Sequence, residues 1–306
     1  MGSKNQRAAI RRPMGIEKKK ARMGLLFTMP WIIGLLVFYA YPLISSIYYS
    51  LTTYSVLSPG RFVGLKNYER LFKDALFWKS VSNTLYFAAI SVPVNIVVGV
   101  VIALLLNFRS KAIGIYRTIF FIPTLVPVIA TATVWKFLLD SQYGLINQLL
   151  NLLGIASVPW LTSAEWSKIS LVMIAAWGVG QAVIVNLAGL QDISPTYYEA
   201  AEVDGANGFQ KIRHITLPLL TPVIFYNLVM GMINALQTFT LPYSLTGGEG
   251  TPVNSLMFYV MYLYSNAFGY MKMGYASAMA WILFVIILVL TLFVVRSSRH
   301  WVQYQD

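Results

Sequence analysis

Two sets of side chains in this sequence have types and spacings that could do chemistry. The first is Glu199-Ala200-Ala201-Glu202-Val203-Asp204-Gly205, followed by Ile215-Thr216-Leu217-Pro218. Glu199, Glu202 and Asp204 offer carboxylates to basic groups, and charge-assisted pairs of this kind are strong. Ala200 and Ala201 leave so little bulk that another protein could approach the helix backbone. That is docking chemistry. The second set is Asn227, Asn234 and Thr238, whose spacings of seven and four place them on one helical face, with Gln237 beside them. Neutral amides donate and accept hydrogen bonds, which suits a neutral, hydroxyl-rich ligand; it suits bonding between helices equally well. Asn83, Asn95, Gln181 and Asn186 are weaker candidates of the same kind.

Other chemistry is missing from the sequence. No Gly-x-x-x-x-Gly-Lys-Ser/Thr pattern occurs, so the chain does not cradle ATP by that device. Two histidines and no cysteine make a metal site improbable. No pair of carboxylates and no nucleophile with a neighbouring base stands near an apolar segment, which argues against a membrane-embedded enzyme. The charge-free intervals hold no Asp or Glu, so a proton relay within them is also missing. Sodium coupling through backbone carbonyls escapes that test, and a self-driven secondary carrier or channel for a small polar solute stays open as an alternative.

The elements that must position these groups are membrane spans. Apolar residues make up 57% of the 306-residue chain and charged residues 11%, the balance of a polytopic membrane protein. Charge-free intervals run over Met23–Gly60, Ser80–Phe108, Thr118–Trp135, Ile169–Gln191, His214–Gly248 and Met273–Val295. A crossing needs roughly 20 apolar residues, so each interval is one span. The first is too long, and lacks the flanks, for a removable signal. The fold class expected is therefore all-α integral membrane with six transmembrane helices. A basic tail over residues 1–22, a transmembrane domain over 23–298 and a short tail over 299–306 complete the division.

Six crossings put both termini on one side, and the eight Lys and Arg up to Arg22, Lys4, Arg7, Arg11 and Arg12 among them, make that side the cytoplasm. Inward segments then hold fifteen Lys and Arg and the remainder eight. Arg61, Lys66, Arg70, Lys73 and Lys79 go against the bias on the outside. The net charge of +12 is concentrated beside a span, where it attracts anionic lipid; nucleic acid is not the partner it implies. Phe62, Leu65, Tyr68, Leu71 and Phe72 predict an amphipathic helix on the outer face between Arg61 and Phe77. Val158-Pro159-Trp160 and Trp166 predict an aromatic anchor at the outer interface.

The docking set sits on the inner side, between spans four and five. Ser194-Pro195 reads as a helix start, Gly205 as its left-handed end, and Asn207 with Gln210 as a reciprocal cap on a second helix. Pro218 and Pro222 mark a turn into the next span. A helix-turn-helix knob results.

The order Glu-Ala-Ala, three residues, Gly, nine residues, Ile-x-Leu-Pro resembles the cytoplasmic coupling loop of permease subunits in bacterial binding-protein-dependent ABC importers. Phe62-Val63-Gly64-Leu65-Lys66-Asn67-Tyr68, Asn83-Thr84, Phe120-Phe121-Ile122-Pro123 and Leu245-Thr246-Gly247-Gly248 resemble the carbohydrate-uptake branch, of the maltose or glycerol-phosphate permease type. The likeness runs from about Leu25 to Val295; Gly248-Glu249-Gly250 departs from it, where a third glycine and a proline are usual. The resemblance implies a non-catalytic subunit of the bacterial cytoplasmic membrane that passes a sugar or oligosaccharide inward by alternating access. It implies Glu199 paired with a basic group of an ATPase subunit, Ala200, Ala201 and Asp204 at that contact, and Gly205 as the bend. Asn227, Asn234, Gln237 and Thr238 are the substrate-pathway candidates. The partners implied are a second homologous permease, an ATPase dimer that binds ATP and Mg, and an extracytoplasmic solute-binding protein; this chain holds no cofactor of its own.

Overall fold

The computed structural model describes residues 14–108 and 113–303, so Lys4, Arg7, Arg11, Arg12, Arg109 and Lys111 of the inward count lie outside the described residues. Among the described residues the structure is helical throughout, with two isolated bridges, Thr52 to Phe62 and Ser55 to Ser58. Helix α1 (Met14–Leu35) passes through a wide π turn at Leu36–Ala40 into α2 (Tyr41–Ser50). The turn ends two residues before Pro42, which lies in the first turn of α2. A proline gives no N–H to the preceding ladder and its ring crowds the carbonyl four residues back, which a locally wider helix relieves.

Helix α3 (Lys66–Lys73), in the segment that the sequence predicts to be an outer amphipathic helix, is shorter than expected. Asp74 ends it, because its carboxylate accepts from the backbone N–H groups of Leu76 (2.9 Å) and Phe77 (3.3 Å) and so starts a new helix, α4 (Ala75–Leu106). Phe77 therefore belongs to a span. Phe62, Leu65 and Phe72 remain exposed, and Leu71 alone of the predicted stripe is fully buried.

Asp74 also receives the hydroxyls of Tyr262 (2.5 Å) and Tyr275 (2.8 Å), so one carboxylate ties three segments together. Burial by itself would raise its pKa. The two tyrosine hydroxyls and the capped N–H groups outweigh that and hold the carboxyl below its ordinary range. A depressed folded-state pKa contributes stability that is complete above the ordinary titration range of Asp, centred near about 3.9, and is lost as pH falls through the folded value. Thermal melts of the purified protein should show Asp74→Asn less stable than wild type near pH 7, with the gap closing as the pH drops below about 4. A gap independent of pH would mean that the charge does not matter.

The third apolar interval is not a straight span. Helices α5 (Ile113–Leu125) and α6 (Val128–Leu138) meet at 99°. Pro127 breaks the ladder and disfavours helical backbone at Val126. A connecting segment follows with α7 (Leu145–Leu152), organised by the buried amide of Asn147. Asn147 accepts from the indole N–H of Trp160 (2.9 Å) and the backbone N–H of Val158 (3.0 Å). Trp160 is thus turned into the loop and packs edge-on against Trp166, both half-buried, where the sequence predicts an anchor in the bilayer interface.

Helices α8 (Trp166–Trp177) and α9 (Gly180–Asp192) form a second bent pair, at 48°. A Cβ on Gly180 would lie 2.4 Å from Thr124 Oγ1 and 2.6 Å from the Phe120 carbonyl, so only glycine lets α5 approach here. The remaining elements are α10 (Pro195–Val203), α11 (Gly208–Lys211), a second π turn at Ile212–Thr216, α12 (Leu217–Leu236), α13 (Thr240–Thr246), α14 (Tyr259–Tyr264), a third π turn at Ser265–Gly269 and α15 (Met273–Ser298). Among the described residues four helices are long and apolar enough to cross a membrane, or up to six if each bent pair is one span.

Helix α4 is the axis of the fold, with α8, α9 and α12 packed around it. In its N-terminal part Asn83 donates to the carbonyls of Asn254 (2.8 Å) and Met257 (3.0 Å), and Thr84 Oγ1 accepts from the N–H of Tyr259 (2.9 Å). Asn83 is fully buried, so this weaker ligand candidate is a bracket for the 254–259 loop. By contrast, the apolar stretch Lys18–Ser50 buries none of its most hydrophobic window within the chain. It is held at its α2 end against α15.

Candidate functional site

The docking set folds into the predicted helix-turn-helix. Pro195 occupies the first turn of α10, but the Ser194 side chain does not cap it; its hydroxyl pairs with that of Thr196 at 2.7 Å. Gly205 ends α10 with φ +76°. The Ala206 N–H reaches the Ala201 carbonyl (2.9 Å) and the Gly205 N–H reaches that of Glu202 (3.1 Å). This six-to-one and five-to-two pair is the Schellman closure, which needs the left-handed residue that glycine supplies. Asn207 and Gln210 then cap α11 reciprocally, Asn207 Oδ1 accepting at 2.9 Å and Gln210 Oε1 at 2.8 Å.

Pro218 does not turn the chain. The second π turn absorbs it, and residues Gly208–Leu236 run on as a continuous helix. Pro222 lies inside α12. Two struts stiffen the knob: Tyr198 and Thr216 share a hydrogen bond of 3.0 Å between their hydroxyls, and Lys211 Nζ meets Glu202 Oε1 at 2.7 Å.

That last contact separates the carboxylates. The sequence presents Glu199, Glu202 and Asp204 as equal offers to a basic partner. Glu202 is already taken by Lys211, whose hydrogen bond and charge hold its carboxyl below the usual range. Glu199 and Asp204 are exposed and in no ion pair among the described residues. Ala200 is exposed and Ala201 half-buried, while Val203 (89% exposed) and Phe209 (71%) put apolar surface beside them. A free carboxylate flanked by uncovered apolar side chains has the chemistry to meet a cationic cleft. A Lys at i+9 from Glu202 is not a helical pairing distance, so nothing in the sequence signalled the internal clip.

The amide set lines a recess of about 480 Å³ between α4, α8, α9 and α12. Asn227, Asn234 and Thr238 are on its wall, joined by Ser91, Asn95 and Gln181. Gln237 is exposed and does not line it. Asn227 donates to the Oδ1 of Asn186 (3.0 Å), so the buried Asn186 acts behind the wall as helix-to-helix bonding. Ser91 Oγ and Asn95 Oδ1 are hidden from solvent and have no hydrogen-bond partner in the protein. Most buried polar atoms in proteins have a partner, and a water or a hydroxyl group in the recess would supply one to these two. Ser91 and Tyr226, which also lines the recess, were missed from sequence. The four-residue step from Ser91 to Asn95, on one face of α4, was the available signal.

Knob and recess are mechanically continuous. Helix α9 carries Gln181 into the recess and hands over to α10 within two residues; α11 runs through its π turn into α12, which carries Asn227 and Asn234.

Residues 95–303 match the model of a family described as binding-protein-dependent transport system inner membrane component. The chain is 39% identical to a probable ABC transporter permease protein, YesP of Bacillus subtilis, over 94% of each chain. It is 34% identical to the trehalose/maltose transport system permease protein MalF of Thermococcus litoralis, over 93% of this chain and 96% of that one. A solved bacterial ABC transporter involved in the import of the acidic polysaccharide alginate contains a chain with the same fold, at a TM-score of 0.81 and 27% identity over 93% of this chain and 98% of the other. A relationship that spans nearly the whole length of each relative, and includes both the knob and the recess, places this chain in the family of inner membrane permease components of binding-protein-dependent ABC transport systems.

Proposed function

We propose that this chain is one of two homologous permeases that together carry a sugar or oligosaccharide into a bacterial cell, powered by a separate ATPase dimer and supplied by an extracytoplasmic solute-binding protein. The two bent pairs each cross once, giving six spans with both termini, and the α10–α11 knob, in the cytoplasm. ATP and Mg bind the ATPase, and this chain catalyses nothing. The trehalose/maltose and alginate systems among its relatives support a saccharide, and the amide-lined recess offers neutral donors and acceptors for hydroxyl groups.

One observation carries the mechanism: one arm of the knob runs without a break into a helix that walls the recess, and the other is joined to such a helix by only two residues. Closure of the ATPase dimer pulls on Glu199, Ala200, Ala201 and Asp204, with Gly205 keeping the bend rigid. Helices α9 and α12 then rock, and the recess changes the side it faces. A recess walled by one chain needs a second permease to enclose a solute, which is where the homologous partner fits. The test is reconstitution. The chain with its ATPase, second permease and binding protein should take up saccharide only with ATP, and the chain alone should take up none. Uptake by the chain alone, indifferent to ATP, would overturn the proposal in favour of a self-driven carrier.

A further inference from the structure

Helix α12, the arm that leaves the knob for the recess, has its weakest ladder at its foot. Pro218 and Pro222 both stand in its first two turns, and a proline offers no N–H to the carbonyl four residues back. Pro222 thus leaves the Pro218 carbonyl without its helical donor. The Thr221 hydroxyl takes that place, donating to the Pro218 carbonyl at 2.6 Å. Its lone pairs stay available, and one of them accepts the backbone N–H of Gln303 at 2.9 Å, across 82 positions of sequence. One turn further along the same face of α12, Phe225 meets Trp301 edge-on, with ring centroids 6.1 Å apart. Thr221 and Phe225 flank Pro222.

The other partner in both contacts is the segment after α15. That helix ends at Ser298, whose carbonyl accepts the N–H groups of Trp301 (3.2 Å) and Val302 (2.9 Å), and the chain then lies on α12 with Trp301 and Val302 half-buried. Chain ends are ordinarily loose unless something ties them down. This one is tied to the two residues on either side of a break. Helix α15 is itself fastened near its opposite end, where the Tyr275 hydroxyl donates to Asp74 at 2.8 Å. The knob lies before the break and Asn227 and Asn234 of the recess wall lie after it, so a displacement carried by α12 has to cross Pro218 and Pro222. Coupling between two sites travels through rigid, contiguous elements, and a ladder with missing bonds is where bending absorbs it.

We infer that residues 299–303 splint the proline break of α12, so that movement of the knob reaches the recess wall instead of being taken up at the foot of the helix. Thr221 and Trp301 are positioning residues: neither lines the recess, and neither belongs to the docking set. The inference rests on the alternating-access reading above.

The chain has no cysteine, so Asn234→Cys puts its single thiol on the recess wall. In nanodiscs, with the ATPase, second permease and binding protein assembled, that thiol is labelled with a maleimide in the presence and absence of ATP and vanadate, and the label on this chain is read by mass. The labelling rate should change with nucleotide. Gln303→Pro removes the tail's N–H donor and Trp301→Ala removes its ring, and both leave α12 itself intact. Each should shrink the nucleotide-dependent change about fivefold, the factor by which one neutral hydrogen bond commonly shifts an equilibrium. Thr221→Val should do the same, and Thr221→Ser, which keeps the hydroxyl, should restore the full change. Hydrogen exchange at the Gln303 amide reads the contact directly: it should be slow in wild type and at least about fivefold faster in Thr221→Val. Fast exchange in wild type would overturn the splint. So would a full nucleotide-dependent change in both tail variants, even with a lowered melting temperature, because the tail would then be packing alone. Slow exchange at Gln303 with no nucleotide-dependent change in the otherwise wild-type chain would overturn alternating access, and the splint's role with it.

Discussion

Glu199→Lys is expected to stop ATP-driven uptake while leaving the chain folded in the membrane. Glu199 is exposed, lies on α10 beside Ala200, and has no ion-pair partner among the described residues, so its carboxylate is available to a cationic cleft. Truncating one member of a desolvated charge pair costs about 2–5 kcal/mol, and reversal adds like-charge repulsion. Uptake in proteoliposomes should therefore fall at least about thirtyfold, that lower bound converted to a rate or affinity ratio. Glu202→Gln is the control. It opens a pair with Lys211 that is itself two-thirds exposed on the Glu202 side, and surface pairs contribute about 0–1 kcal/mol. Uptake should stay within about fivefold of wild type. If the two substitutions had equal effects, the knob would be responding to net charge and Glu199 would have no special place.

Gly274→Ala is expected to cost the protein its fold. A Cβ there would lie 2.1 Å from the Thr52 carbonyl oxygen and 3.0 Å from that of Tyr49, both backbone atoms that cannot swing aside. The same residue donates its N–H to the Tyr54 carbonyl at 2.9 Å, so moving α15 away breaks the contact that positions it. Overpacking of this kind costs about 3 kcal/mol or more, a large share of the roughly 5–15 kcal/mol that holds a typical protein folded. Yield of monodisperse protein and its melting temperature in detergent are the measurements. Gly269→Ala, where no atom lies within 4 Å of the added Cβ, should melt within a few degrees of wild type. A Gly274→Ala protein that melts with wild type would show that the junction of α2 and α15 yields more easily than its geometry implies.

The sequence by itself determined the class of molecule and the local shape of the knob. Six apolar intervals are legible because a bilayer leaves a chain little choice but helix, and capping residues act within a few positions of one another. Ser194 shows the edge of that legibility: the residue type was right for a cap, yet its hydroxyl found Thr196 first. Among the amides, the seven-and-four spacing correctly gathered Asn227, Asn234 and Thr238 on one wall.

Tertiary structure decided everything that depends on what lies across the chain from a residue. It placed Asn83 under a loop 171 residues away, sent Gln237 outside the recess, and gave Glu202 to Lys211 while leaving Glu199 free. It also turned Gly180 and Gly274 from ordinary helix residues into the points where backbones touch. Periodicity reports which face of a helix is apolar; it does not report which neighbour that face meets, because contact distance and hydrogen-bond partnership belong to pairs of segments that are remote in the sequence.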